Sequence, residues 1–174
     1  KEQWNLQAMD AGGAWRFNKG SEDVVLVSLD SGLKDSGDGS AAVHDEIGHI
    51  SYETGVNTYN SDHGHQAMSV MAAKHDGENL AGIAPGSQLW GYNVKTSSQG
   101  GIGLYDALVS VNSKRSSNER IVFQGGIQGD WPWTANGSSK EDVESYADTD
   151  PKLGGLHLNY YGCVTALDRA VGKL

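Results

Sequence analysis

Strand-length apolar segments alternate with amphipathic helical segments between residues 24 and 123 of the chain. We predict strands at 24–29, 88–94 and 121–123 and helices at 64–74 and 104–114. The first strand opens on Val24-Val25-Leu26-Val27, an uninterrupted apolar run that favours burial of both strand faces. Because strands that alternate with helices usually pair in parallel, we expect an α/β protein built on a mostly parallel sheet.

The segments on either side of this alternating region have their own patterns. Apolar residues at helical spacing predict a short helix over 5–15, which would cover the sheet. Residues 125–155 are rich in Gly, Ser, Asn and Asp, which indicates a long loop. From Cys163 onward, apolar residues recur at helical intervals and predict an amphipathic helix.

Composition and charge restrict the partners of the chain. With 174 residues and 37% hydrophobic content, the chain fits one domain or a large piece of one. A formal net charge of -9 would repel phosphate backbones and anionic lipids, so we expect neither nucleic acid nor a membrane as partner. Lys1-Glu2-Gln3-Trp4 lacks the apolar centre of a signal peptide, so any targeting segment is expected to be absent or already removed.

Asp30 is the first candidate for a chemical role, because it closes the apolar strand and precedes Ser31-Gly32. Ligands of open parallel sheets bind at the carboxyl ends of the strands. A carboxylate at this place is suited to orient a histidine. An aspartate that ends a strand also serves as a turn or helix-cap residue, and the motif alone leaves both interpretations open.

His63 is the second candidate, because it introduces a helix of small residues. The helix dipole disfavours an imidazolium at this position, so a histidine that acts as a base would need a nearby carboxylate, which Asp30 can supply. Two other interpretations stay open at this point. In one, Asp62 caps the helix and His63 and His65 are surface residues; in the other, Asp62, His63 and His65 contribute to a metal site.

Several motifs in order along the chain resemble the subtilisin-like serine proteases. Asp30-Ser31-Gly32 resembles the family's Asp-Thr/Ser-Gly block, and His44-Asp45-Glu46-Ile47 resembles the His-Pro-Asp-Leu that follows it. His63-Gly64 opens the segment that resembles His-Gly-Thr-His-Val-Ala-Gly, and Gly82-Ile83-Ala84-Pro85-Gly86 resembles a Gly-Val-Ala-Pro turn. The segment 4–15 is similar to the start of a mature subtilase. The run His65-Gln66-Ala67-Met68-Ser69 departs from the family pattern and marks the chain as a divergent member.

The resemblance implies a three-layer, doubly wound, mostly parallel sheet, and a serine endopeptidase that uses an Asp-His-Ser triad. It makes Asp30 the residue that orients the histidine and His63 the base that takes a proton from the serine. Gly125 and Gly126 correspond to the edge against which an extended protein or peptide substrate pairs, although a plain strand and glycine turn would look the same. No cofactor is required for this chemistry.

The family's serine block and oxyanion asparagine have no counterpart in the chain. We therefore expect residues 1–174 to be the N-terminal portion of one catalytic domain, C-terminally incomplete and inactive alone, with the serine on a missing C-terminal part. The alternatives are a non-catalytic peptide-binding fragment or pseudoprotease, and an unrelated doubly wound protein with a metal or small-molecule site. The resemblance also implies a secreted or exported protein and allows a structural calcium ion, for which loops such as 35–38 offer carboxylates.

Overall fold

A computed structural model describes residues 3–59 and 61–125. Four strands are present in this part: β1 Val24–Asp30, β2 Tyr52–Thr54, β3 Gln88–Asn93 and β4 Arg120–Gly125. The helices are α1 Trp4–Ala8, α2 Ala11–Ala14, α3 His63–Ala72 and α4 Leu104–Lys114. Two 3₁₀ turns complete the described elements, at Asp45–Ile47 and at Ser97–Gln99. The predicted helix from Cys163, the predicted loop at 125–155 beyond Gly125, and Gly126 lie outside the described residues.

The four strands form one parallel sheet in the order β2-β3-β1-β4. β1 is a central strand: its residues pair with β3 on one side and with β4 on the other. At the carboxyl ends, Asp30 is level with Asn93, and Leu29 is level with Gly125. Residues that end different strands are therefore brought to one edge of the sheet.

Both faces of the sheet carry a hydrophobic core, as the run at the start of β1 predicts. On one face, Val25, Val27 and Leu29 pack with Ala107 and Val111 of α4. On the other face, a second core joins the sheet to α3 and to the 3₁₀ turn at Asp45–Ile47; its buried members are Leu26, Leu33, Ile47, Met68, Ala72 and Leu89. This arrangement confirms the α/β fold with a mostly parallel sheet between two helical layers.

The prediction of one helix over 5–15 was wrong in detail. The chain forms α1 and α2, separated at Asp10, whose φ of 50° places it in the left-handed region. Asp10 then caps α2 by accepting a hydrogen bond from the Gly13 backbone N–H. A side chain that caps a new helix competes with continuation of the old one, which explains the break.

Tyr92 on β3 provides a stability prediction. Its side chain is fully buried and its hydroxyl donates to the Ser110 hydroxyl on α4 at 3.4 Å, while burial raises the pKa of Tyr92 to about 12. Because the unfolded phenol titrates near pH ~10, the stability that Tyr92 contributes is complete below that pH and is lost as pH rises toward 12.

We expect the melting temperature of the wild type to fall steeply over this alkaline range and that of Tyr92→Phe to fall less. Thermal melts between these pH values, together with tyrosinate absorbance, measure the effect. Tyr59→Phe is the matched control, because Tyr59 is largely exposed. Identical alkaline profiles for the wild type and Tyr92→Phe would contradict the prediction.

Candidate active site

Asp30 is the last residue of β1 and lies at the carboxyl end of the sheet, with 1% of its surface exposed. Its Oδ1 accepts a hydrogen bond from the Ser31 backbone N–H at 2.6 Å. A buried carboxylate needs such donors, because an unpaired charge in the core costs several kcal/mol. The position of Asp30 is therefore fixed by its own strand and turn, independently of other side chains.

His63 is the first residue of α3, and the structure brings its ring to Asp30. Its Nδ1 lies 2.9 Å from Asp30 Oδ1 and 2.9 Å from Asp30 Oδ2. A carboxylate only accepts hydrogen bonds, so Nδ1 carries the proton and Nε2 is left as the acceptor of the neutral ring. The histidine is 54% exposed while the aspartate is buried. One end of the pair is thus anchored in the core and the other is open to a reactant.

The close approach of α3 to the turn after β1 depends on Gly64. Its backbone N–H donates to the buried Ser31 hydroxyl at 2.9 Å. A Cβ on Gly64 would lie 2.7 Å from the Gly32 carbonyl oxygen and 2.9 Å from the Gly32 nitrogen. Only glycine lets the first turn of the helix rest on this backbone, which is why His63 reaches Asp30.

The turn after β1 is itself supported by backbone and by one buried side chain. Gly32 has a φ of 65° and its missing Cβ would lie 2.9 Å from Asn93 Cβ and 3.0 Å from the Gly55 carbonyl oxygen. Asn93 is fully buried; its Nδ2 donates to the Gln99 carbonyl oxygen and its Oδ1 accepts from the Lys95 N–H. Asn93 therefore fixes the loop beside the site as well as the end of β3.

Neither alternative for the residues around His63 is supported by the geometry. Asp62 occupies the N-cap position of α3 but its side chain makes no cap hydrogen bond, so the alternative in which it caps the helix is not supported. The Ser61 hydroxyl accepts from the His63 N–H instead, at 3.4 Å. Within residues 3–59 and 61–125, no three His, Cys, Asp or Glu side chains converge as a metal site.

The loop offered as a calcium site uses its carboxylates internally. Asp35 Oδ1 accepts from the N–H groups of Gly37 and Gly39, and Asp38 Oδ1 accepts from the Ser36 hydroxyl and the Ser40 N–H. The hydrogen bonds from Ser36 and Ser40 hold the pKa of Asp38 well below its usual range. One oxygen of each of these two carboxylates therefore binds the loop's own turn.

Gly125 ends β4, the outer strand of the sheet in the described part of the chain. It is exposed and level with Leu29, one residue before Asp30. The Ser28 hydroxyl donates to Gln124 Oε1 at 2.9 Å and ties β4 to β1 beside this end. In the described part of the chain, β4 therefore has one neighbouring strand, β1.

Sequence reasoning singled out Asp30, His63 and their flanking glycines, but it assigned no supporting role to Ser31, Gly55 or Asn93. Ser31 and Gly55 hold the turn through hydroxyl and backbone contacts, and Asn93 through its amide. A signal for Asn93 existed in the sequence, since a polar residue follows the apolar part of the strand at 88–93. Its partners could not be deduced, because they lie in a loop of no distinctive pattern.

Comparison with known proteins gives one informative match. No protein-family profile and no solved structure matches the chain. The chain is 32% identical over 110 residues to the minor extracellular protease Epr of Bacillus subtilis. The match covers 62% of the chain and spans 16% of that protein. The chain is thus similar, over more than half of its length, to a small part of a protease.

Proposed function

We propose that this chain is the N-terminal portion of the catalytic domain of a subtilisin-like serine endopeptidase, and that Asp30 and His63 are two members of its triad. The observation that carries the proposal is the contact of His63 Nδ1 with the buried Asp30 carboxylate at 2.9 Å. The similarity to an extracellular protease supports the same assignment. Hydrolysis of peptide bonds in proteins or peptides is the proposed activity of the parent protein.

The chemistry follows from the tautomer. With its Nδ1 proton bound by Asp30, His63 presents a lone pair on Nε2 that takes the proton of a serine hydroxyl as the oxygen attacks the peptide carbonyl. The imidazolium that forms is stabilised by the charge of Asp30, which stays ionised. The same ring then gives its proton to the leaving amine.

The serine belongs to a part of the protein other than the described residues. In the part that the structure describes, the ring of His63 is hydrogen-bonded only to Asp30, and the Ser31 hydroxyl is occupied by Gly64. We propose that the nucleophile and the oxyanion donor come from a further segment, and that residues 1–174 alone are inactive. Loss of a nucleophile removes several powers of ten in rate.

Substrate binding at the edge of β4 is part of the same proposal. Gly125 is exposed at the end of this strand, one position from the level of Asp30, and Gly126 follows it outside the described residues. An extended peptide paired with β4 would run past the Asp30–His63 pair. The same edge also supports the second candidate, a non-catalytic peptide-binding fragment or pseudoprotease, which would keep the strand but not the reaction.

Intact mass of the purified protein under denaturing conditions, combined with a fluorophosphonate probe for activated serines, tests the proposal. We expect the probe to label a species heavier than the 18.5 kDa chain or a second polypeptide bound to it. Labelling should be lost in His63→Ala and kept in His75→Ala, because His75 lies beyond the C-terminal end of α3. A heavier species or a bound second polypeptide that stays unlabelled would overturn the assignment and favour the peptide-binding alternative.

Export and calcium binding complete the proposal. The extracellular location of the similar Bacillus protease supports secretion. None of the helices in the described residues is long and apolar enough to cross a bilayer. A structural calcium ion, if the protein binds one, should raise the melting temperature on addition of calcium and lower it with a chelator; an unchanged temperature would remove calcium from the proposal.

A further inference from the structure

A second pair of histidines lies beside the proposed site. The rings of His44 and His65 meet edge to face, with centroids 5.5 Å apart and planes at 82°. His44 precedes the 3₁₀ turn at Asp45–Ile47, and His65 lies in the first turn of α3. Ile47 of this 3₁₀ turn and Met68 of α3 are fully buried in one core cluster. The two imidazoles thus cover the junction between the 3₁₀ turn and the helix that carries His63.

The hydrogen bond of His44 fixes its protonation. Its Nδ1 accepts from the Glu46 backbone N–H at 3.2 Å and caps the 3₁₀ turn. An imidazole nitrogen that accepts a hydrogen bond carries no proton, so the neutral ring holds its proton on Nε2. Protonation of Nδ1 would replace the acceptor with a second donor and remove the cap. The same tautomer disfavours a metal on Nε2, because that nitrogen would have to lose its proton to Nδ1.

His65 is also held in the neutral form. Burial lowers the pKa of His65, and a positive charge on His44 lowers it further, while Asp62 raises it in part. A histidine whose pKa is lowered in the folded state contributes its full stability above the ordinary pKa near ~6.5. That contribution is lost as pH falls below this value through the folded-state pKa. The other titratable groups here are Asp45 and Glu46 on the 3₁₀ turn, His49 just after it, and Lys74, whose backbone N–H donates to the Glu46 carbonyl oxygen. Burial and the charge of Lys74 lower the pKa of His49.

The pair is coupled to His63 through the first turn of α3. His65 follows His63 by two residues, and Gly64 between them rests on the turn after β1. Asp30 belongs to a central strand that is paired on both sides and cannot follow a displaced helix end. A shift of this helical turn therefore changes the Asp30–His63 contact before it changes the sheet.

We propose that His44 and His65 are positioning residues for His63: while both are neutral they hold the first turn of α3 against the 3₁₀ turn, and protonation releases it. The inference builds on the proposed role of His63 but is tested without catalysis. It assigns a use to His65, at the position where this chain departs from the family pattern. A peptidase of this design loses its active geometry at mildly acidic pH by a route other than protonation of the triad histidine.

The test is NMR of the 174-residue chain with labelled histidines, in a titration from pH 8 to pH 5 (about the range in which imidazoles titrate). Two signals are followed: the Cε1–H of His65, and the downfield Nδ1–H of His63 bound to Asp30. His44→Asn is the decisive variant, because Asn keeps a capping acceptor for the Glu46 N–H and cannot be protonated. His75→Gln is the matched control, since His75 bonds the Gly82 carbonyl oxygen and meets Trp15 edge to face, away from the pair.

In His44→Asn we expect the titration midpoint of His65 to rise, because the repulsion by a charged His44 is gone. In the wild type, the His63 Nδ1–H signal should weaken as His65 becomes protonated, and in the double variant His44→Asn, His65→Gln it should persist to lower pH. An unchanged titration midpoint of His65 in His44→Asn would overturn the proposed role of His44 and His65. A His63 signal with the same acid dependence in all variants would overturn it as well. Absence of the His63 signal from the wild type at every pH would contradict the proposed site, while the His65 midpoint would still decide on the pair.

Discussion

Replacing Gly64 with alanine will destabilise the protein by about 3 kcal/mol or more and separate His63 from Asp30. The added Cβ would lie 2.7 Å from the Gly32 carbonyl oxygen and 3.0 Å from Ser31 Oγ. The backbone of this turn cannot move away from the added Cβ as a flexible side chain could. The helix must therefore lift, and the hydrogen bond from the Gly64 N–H to Ser31 is lost with it.

Urea denaturation of the Gly64→Ala variant measures this effect. Gly12→Ala is the matched control, because a Cβ on Gly12 meets nothing within 4 Å and the residue lies in the short helix α2. That control should be unchanged or more stable by about 0.5 kcal/mol. Equal denaturation midpoints for Gly64→Ala and the wild type would show that α3 does not rest on the turn.

If Asp30 orients His63 as proposed, Asp30→Asn should reduce the peptidase activity of the proposed parent protein by roughly 10³ to 10⁴-fold, as the loss of the orienting aspartate does in known triads. An amide in this position offers an N–H where His63 Nδ1 needs an acceptor. The ring is then driven to the tautomer with the proton on Nε2, which cannot take a proton from serine. The substitution changes little in volume, so the fold should survive it.

The rate of peptide hydrolysis and the rate of fluorophosphonate labelling both report this loss. Asp62→Asn removes the same charge one residue from His63, at a side chain that makes no cap hydrogen bond, and should retain most of the activity. Comparable losses in the two variants would mean that Asp30 acts through net charge and not through the tautomer. A fully active Asp30→Asn enzyme would remove Asp30 from the triad.

The elements with long apolar patterns could be predicted from the sequence. α4 spans Leu104–Lys114 as predicted, and β1 and β3 differ from their predictions by one residue at one end. β2 was missed, because Tyr52–Thr54 is only three residues long and half-buried throughout, which leaves neither alternation nor an apolar run. Its position is set by pairing with β3, a contact over long sequence distance that local pattern does not encode.

The candidate site could be predicted in part for the same reason. Asp30 ends a strand two residues before Gly32, and His63 begins a helix directly before Gly64. Parallel topology brings residues at the carboxyl ends of strands to one edge of the sheet. Residue preference allowed Asp62 as the cap of α3, but the His63 N–H donates to the Ser61 hydroxyl instead. Local preference ranks Asp and Ser almost equally as caps, so preference alone does not decide between these two residues.

The glycines next to the His63–Asp30 pair restrict which substitutions the protein can tolerate there. A Cβ on Gly32, Gly55 or Gly64 would meet mostly main-chain atoms, and the side-chain atoms nearest to it would be Asn93 Cβ or Ser31 Oγ. A saturation-mutagenesis map should therefore show these glycines as columns intolerant of every replacement, small or large, polar or apolar. Sequence variation around the pair is therefore expected at positions away from these glycines, such as His65.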